Sequence, residues 1–195
     1  DNSGDICDKL SKVYSNIIVI HQKNQGAAHA MYNGACYGTG RYLMFMDADD
    51  WLEPNTCELA LKAILEHKCD LVFWYFYKEF DNKSVKVELP FSNEVIFVDE
   101  NLKYLQRRLI GLEKYELKNP TKTDALSSGW AKLYLRENLV KNKHALISRD
   151  GHDHFDVILN ITMVNLISKA VFLPYHLNHY RQHNPNSLSK NHGFS

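Results

Sequence analysis

Apolar positions along the chain alternate between two rhythms. Residues 42–46 are an unbroken apolar and aromatic run, too short for a helix, and predict a strand buried on both faces as in the middle of a parallel sheet. Residues 16–20 (NIIVI), β-branched and apolar, and 69–77 (CDLVFWYFY), strongly aromatic, read the same way. Between these runs the spacing becomes helical. Ile6, Leu10 and Val13 mark a first helix, small residues over 27–37 a second, and Leu59, Ala63 and Leu65 an amphipathic helix over 54–67. Gly34 and Gly38, one turn apart, are expected to let the second helix approach the sheet closely. The order α-β-α-β-α-β predicts an α/β fold with a mostly parallel, doubly wound sheet flanked by helices. Residues 79–98 then alternate around Pro90 and predict a hairpin or meander beside that sheet. A helix over 99–112 should turn Leu102, Leu105, Leu109 and Leu112 inward and Arg107 and Arg108 to water. Farther on come an apolar helix over 157–167 and two short strands, 171–173 and 177–180, around Pro174.

The run at 42–46 leads directly into Asp47, Asp49 and Asp50. Carboxylates cannot continue a buried strand unpaired, because removing a charge from water costs several kcal/mol or more. The strand must therefore surface at Asp47, and in open α/β sheets ligands sit at the carboxyl ends of strands. Hard oxygen donors suit Mg²⁺ or Mn²⁺, which also bridge to phosphates. The competing reading is structural: Asp49 or Asp50 caps the helix that Pro54 opens.

The stretch 40–54, GRYLMFMDADDWLEP, resembles the Asp-x-Asp region of the family 2 nucleotide-sugar-dependent glycosyltransferases, whose commoner form is G-x-Y-I-x-F-L-D-S-D-D-W-I-x-P. The resemblance implies a GT-A fold with a C-terminal helical acceptor-side region. It implies Asp49 as the metal ligand under the donor diphosphate and Asp47 as its companion near the ribose. Asn24, Gly26 and Gly34 match the frame of a donor-side loop, with Met31 and Tyr32 where Arg-Asn is usual. Residues 127–138 resemble W-N-K-L-Y-x-R-E-L, on the helix that forms the acceptor side; Trp130 and Lys132 match and Ala131 replaces Asn. A core tryptophan is the alternative to a sugar-facing one at Trp130. Residues 148–160 resemble G-E-D-x-x-F, which implies Asp153 as the base that deprotonates the acceptor, with a helix N-cap as its alternative. The tail resembles Y-x-Y-R-x-x-x-x-S-x-S and places Arg181 near the donor phosphates.

Length and composition fit one domain of 195 residues, 45% apolar and 24% charged, which leaves little room for disorder. On the resemblance it divides into a nucleotide-sugar half at 1–98, lacking its first strands, and an acceptor-side half at 99–195. The chain starts inside a run the family places after its first strand, helix and second strand, so the expectation is a piece truncated at its N-terminus. Twenty-three basic residues balance twenty-three acidic ones, which argues against a nucleic-acid partner. Four scattered cysteines, three of them in apolar segments, read as reduced, partly buried thiols of a cytoplasmic protein. The implied reaction is inverting sugar transfer from a nucleotide diphosphate donor, with Mn²⁺ or Mg²⁺, to a saccharide or lipid-linked saccharide in bacterial surface polysaccharide synthesis. A membrane surface at the inner face and a second copy of the chain are the further partners expected. A sugar-nucleotide-binding module without turnover is the alternative.

Overall fold

The computed structural model describes residues 2–110, 117–118, 126, 128–142, 147 and 155–182. Its centre is a pair of long parallel strands, β3 (Leu71–Phe80) and β7 (Ala170–Arg181), in register from Leu71 opposite Ala170 to Glu79 opposite Arg181. Every other described ladder is antiparallel. On the outer edge of β3, β6 (Lys132–Leu135) pairs with its first half and β4 (Lys83–Val87) with its second. On the outer edge of β7, β5 (Val95–Phe97) pairs with the first half and β2 (Trp51–Leu52) with the second. The short β1 (Tyr42–Leu43) adds to β6. The fold is α/β as expected, but the sheet is mixed rather than mostly parallel.

Alternation along β3 builds two cores. Leu71, Phe73 and Tyr75 face one side, with Phe97, Phe172, α4 (Asp99–Ile110) and α6 (Phe155–Leu166); Val72 and Trp74 face the other, with α3 (Thr56–Glu66). Both faces being covered is why LVFWYF reads as one apolar run. Register shifts around Tyr75 break the alternation, so Phe76 joins the same core as Tyr75. Trp74 and Tyr75, at 2% and 6% exposure, are core residues and not sugar platforms; Trp74 Nε1 donates to Asn178 Oδ1 at 2.7 Å. Phe172→Ala is expected to cost about 3–5 kcal/mol in denaturant unfolding, because the ring is fully buried against Phe73, Tyr75 and Phe91. Ile18→Ala, at a side chain 68% exposed, should stay within about 0.5 kcal/mol.

Several local expectations are corrected. Only Tyr42–Leu43 of the run at 42–46 pairs in a ladder, and 16–20 forms no strand, Asn16 lying in a turn closed by Ile17 N donating to Tyr14 O at 3.1 Å. The stretch around Lys132 is a strand followed by the short helix α5 (Arg136–Lys141), not a helix throughout. β7 runs unbroken through Pro174, whose missing N–H is tolerated at the register shift. In α4, Arg108 is 1% exposed instead of facing water, because it lies three residues after Leu105 on the inward face. In α2 (Ala27–Tyr37) nothing lies within 4 Å of where a Gly34 side chain would begin, so that glycine does not mediate close packing. Cys7, Cys36 and Cys57 are exposed, and Cys69 alone of the four is buried. The first helix, α1 (Ser3–Val13), buries none of its side chains.

Candidate active site

The acidic loop lies where β3 and β7 end. Trp51 stands opposite His179 and Leu52 opposite Asn178, while Glu53 N donates to Leu177 O at 2.9 Å. These bonds tie the segment after Asp50 to the last third of β7. Asp50 does not cap α3, whose N-cap is Asn55; its Oδ1 instead accepts the Arg181 backbone N–H at 2.9 Å. Asp50 Oδ2 is buried with no hydrogen-bond partner. Burial, followed by the charges of Asp47 and Asp49, pushes the Asp50 carboxyl up to about 6 against the pull of Arg181. Asp47 is also raised, first by the protein mass around it and then by Asp49.

Arg181 reaches this loop twice, through its backbone and through a guanidinium 5.8 Å from the Trp51 ring centroid. Beneath Trp51 lies His179, stacked at 4.9 Å and 9°, with Tyr77 on its other face at 4.8 Å. The imidazole is held at both nitrogens, Nδ1 to Glu79 Oε1 at 2.7 Å and Nε2 to Glu53 Oε1 at 3.0 Å. Glu53, Trp51 and Arg181 are therefore fixed relative to one another by a histidine that the sequence patterns did not single out.

Beside the middle of β3 lies the turn before β6, where Ala131 O accepts from Trp74 N. Gly129 N donates to Asp156 Oδ1 at 3.0 Å, and Asp156 stands at the start of α6. Burial raises the Asp156 carboxyl to about 6; Lys132 opposes the shift, Asp47 adds to it, and the Gly129 N–H lowers it. Asp153 lies outside the described residues. Asp156, three residues later, is the carboxylate the sequence patterns missed, and its signal is the D-V-I-L-N run in which Asp156 and Asn160 are one helical turn apart.

Trp130 is half-buried, edge-on to Phe76 at 4.5 Å and tilted against Tyr180 at 5.0 Å, and packs against both cores. Lys132, expected on the acceptor side, is 4% exposed, and its ammonium donates to Leu126 O at 3.0 Å. Asn24 and Gly26 make the turn into α2: Asn24 Oδ1 accepts Gly26 N at 3.0 Å, and Gly26 needs its φ of 87°.

No group of three or more His, Cys, Asp or Glu gathers to cage a metal among the described residues. The donor set nevertheless fits one cation that completes its shell elsewhere. Asp47, Asp49 and Asp50 are hard oxygen donors, the Asp49 charge raises the proton affinity of Asp47 and Asp50, and Asp50 Oδ2 lacks a hydrogen-bond partner among the described residues.

The raised Asp156 carboxyl has a thermodynamic consequence. Its unfolded value is near 3.9, so the folded chain takes up a proton on acidification that the unfolded chain does not, and folding gains stability as pH falls through about 6. Asp156→Asn removes this dependence. Its stability advantage over the native chain should shrink by about 1 kcal/mol between pH 7.5 and 5, after allowance for solvent screening, in denaturant unfolding at the two pH values. A gap that does not change with pH would exclude the raised value.

Comparison with known proteins agrees with this geometry. The profile of Glycosyl transferase family 2 matches residues 1–141, and the chain belongs to that family. It is 30% identical to Glycosyltransferase GlyA of Streptococcus pneumoniae over 93% of this chain and 25% of that protein. It is 27% identical to the glycosyltransferase EpsJ of Bacillus subtilis over 97% of this chain and 52% of that one. The chain thus spans about half or less of these relatives. In fold it is similar to S. aureus TarS 1-349 in complex with UDP-GlcNAc, with a TM-score of 0.68 and 14% identity over 97% of this chain and 48% of that one. No described helix is long and apolar enough to cross a membrane.

Proposed function

We propose that this chain carries the reaction centre of an inverting glycosyltransferase that moves a sugar from a nucleotide diphosphate to a hydroxyl acceptor in bacterial surface polysaccharide synthesis. The observation that carries the reading is Asp156, a half-buried carboxylate raised to about 6 whose Oδ1 accepts the Gly129 N–H at the start of α6. Inversion needs one in-line displacement, with a base on the acceptor side and charge stabilisation on the leaving side. Asp156 takes the acceptor proton as the acceptor oxygen bonds to the anomeric carbon. The bond to the diphosphate breaks and its electron pair leaves with the diphosphate. Arg181, anchored beside Asp50, supplies positive charge to the departing group. A Mn²⁺ or Mg²⁺ ion held by Asp49 with Asp47 would neutralise charge on that diphosphate. Asn24 and Gly26 stand on the donor side, Trp130 on the acceptor side, and Asp153 remains a second base candidate.

A specific observation favours the rival reading, a sugar-nucleotide-binding module without turnover. Met31 and Tyr32 replace the Arg-Asn that the family frame places there, and both pack against the core instead of presenting polar groups. Calorimetric titration of nucleotide diphosphate sugars with and without Mn²⁺, followed by a transfer assay on the complete gene product, separates the two. Metal-dependent binding with transfer supports the enzyme. Binding without transfer or donor hydrolysis supports the module, and no binding of any donor sinks both.

A further inference from the structure

The turn that carries Gly129 is clamped from inside the protein. Lys132 Nζ donates to Leu126 O at 3.0 Å, to Ser128 O, and more weakly to Ser128 Oγ at 3.4 Å. Asn160 Nδ2 donates to the same Ser128 O at 3.0 Å and to Asp156 O at 2.7 Å. Tyr134 OH donates to Gly129 O at 3.0 Å. Lys132, Asn160 and Tyr134 are 4%, 1% and 0% exposed. Ala131, next in the turn, is held at φ 57°, a region alanine occupies only when its surroundings impose it. A side chain on Gly129 would collide with Asp156 Oδ1, so the backbone approaches that carboxylate as closely as glycine alone permits.

We infer that Lys132 is a positioning residue for the base: its buried ammonium, with Asn160 and Tyr134, fixes the carbonyls of the Ser128–Gly129 turn so that the Gly129 N–H is delivered to Asp156 Oδ1. The inference deepens the proposed function, since it takes Asp156 as the base. A lysine this deeply buried is costly. A methionine would fill the same space without that cost. What the ammonium adds is three donors, all engaged by the turn, and a positive charge that favours the Asp156 anion. Burial lowers Lys132 to about 7, with Asp156 opposing, so the amine is mostly protonated at the Asp156 midpoint of about 6. The groups acting on Asp156 are Lys132, Asp47 and the Gly129 N–H. Tyr134 stays a phenol and remains a donor, because burial and then Asp156 raise it well above its ordinary value.

The test is a titration of the Asp156 carboxyl by carbon NMR in the chain without donor or metal, its resonance assigned by its loss in Asp156→Asn. Lys132→Met is expected to raise the midpoint by at least one pH unit, a tenfold gain in proton affinity. Tyr134→Phe keeps the charge and removes one clamp, so it should raise the midpoint by a smaller, measurable amount. An unchanged midpoint in Lys132→Met with a native amide spectrum overturns the inference. Should Lys132→Met fail to fold, an unchanged midpoint in Tyr134→Phe does so. Midpoints that move as expected, alongside a complete enzyme whose Asp156→Asn variant keeps its turnover, would leave the positioning intact and remove the base.

Discussion

Asp156→Asn in the complete enzyme is expected to lower turnover by about a hundredfold or more, the usual scale for losing a general base, while donor binding is unchanged. The amide keeps the shape of the carboxylate and can still accept the Gly129 N–H, so the turn should hold its place. What it cannot do is take a proton from the acceptor. The acidic limb of the native pH–rate profile should fall near the Asp156 midpoint, about 6. Asp153→Asn is the paired measurement. Loss of turnover there, with Asp156→Asn active, would return the base to Asp153. Equal loss of stability in both, with turnover per folded molecule intact, would make both acids structural.

Asp49→Asn should abolish metal-dependent binding of a nucleotide diphosphate with little change in thermal stability. Asp49 lies within a loop already tied down through Asp50 and Arg181, so the fold does not depend on its charge. Removing that charge also relieves the repulsion that raises Asp47 and Asp50. Calorimetry with and without Mn²⁺ reads the effect directly. Unaltered metal-dependent binding in this variant would exclude Asp49 as the ligand. Asp50→Asn should behave differently: Oδ1 anchors Arg181 N, so its loss should loosen the end of β7 as well as weaken donor binding.

Most of the elements were legible because their periodicities are set by geometry that every chain obeys. β3 and α3 follow from apolar spacing within one residue or two at most boundaries. The strand was expected to run to Asp47 and its ladder stops at Leu43, but the exposure of Asp47 was legible, since no neighbouring fold can make an unpaired carboxylate cheap to bury. The family resemblance at 40–54 added the chemistry that periodicity cannot carry.

The sheet's pairing was not legible. Which strand lies beside which depends on contacts between distant residues, and the same apolar run serves a parallel or an antiparallel neighbour on a covered face. Exposure depended on neighbours in the same way: 16–20 forms no strand and has no ladder partner among the described residues, and Arg108 turned inward with the helix face it shares with Leu105. The site divides along this line. The sequence by itself determined the acidic loop and the helix of Asp156 and Asn160, because local chemistry and spacing define them. Only the tertiary structure brought the Gly129 N–H to Asp156, hid the Lys132 ammonium beneath the Gly129 turn, and locked His179 between Glu53 and Glu79. Each of these joins segments that lie apart along the chain, and the cost of burying a charge is decided by whichever partners the fold brings to it.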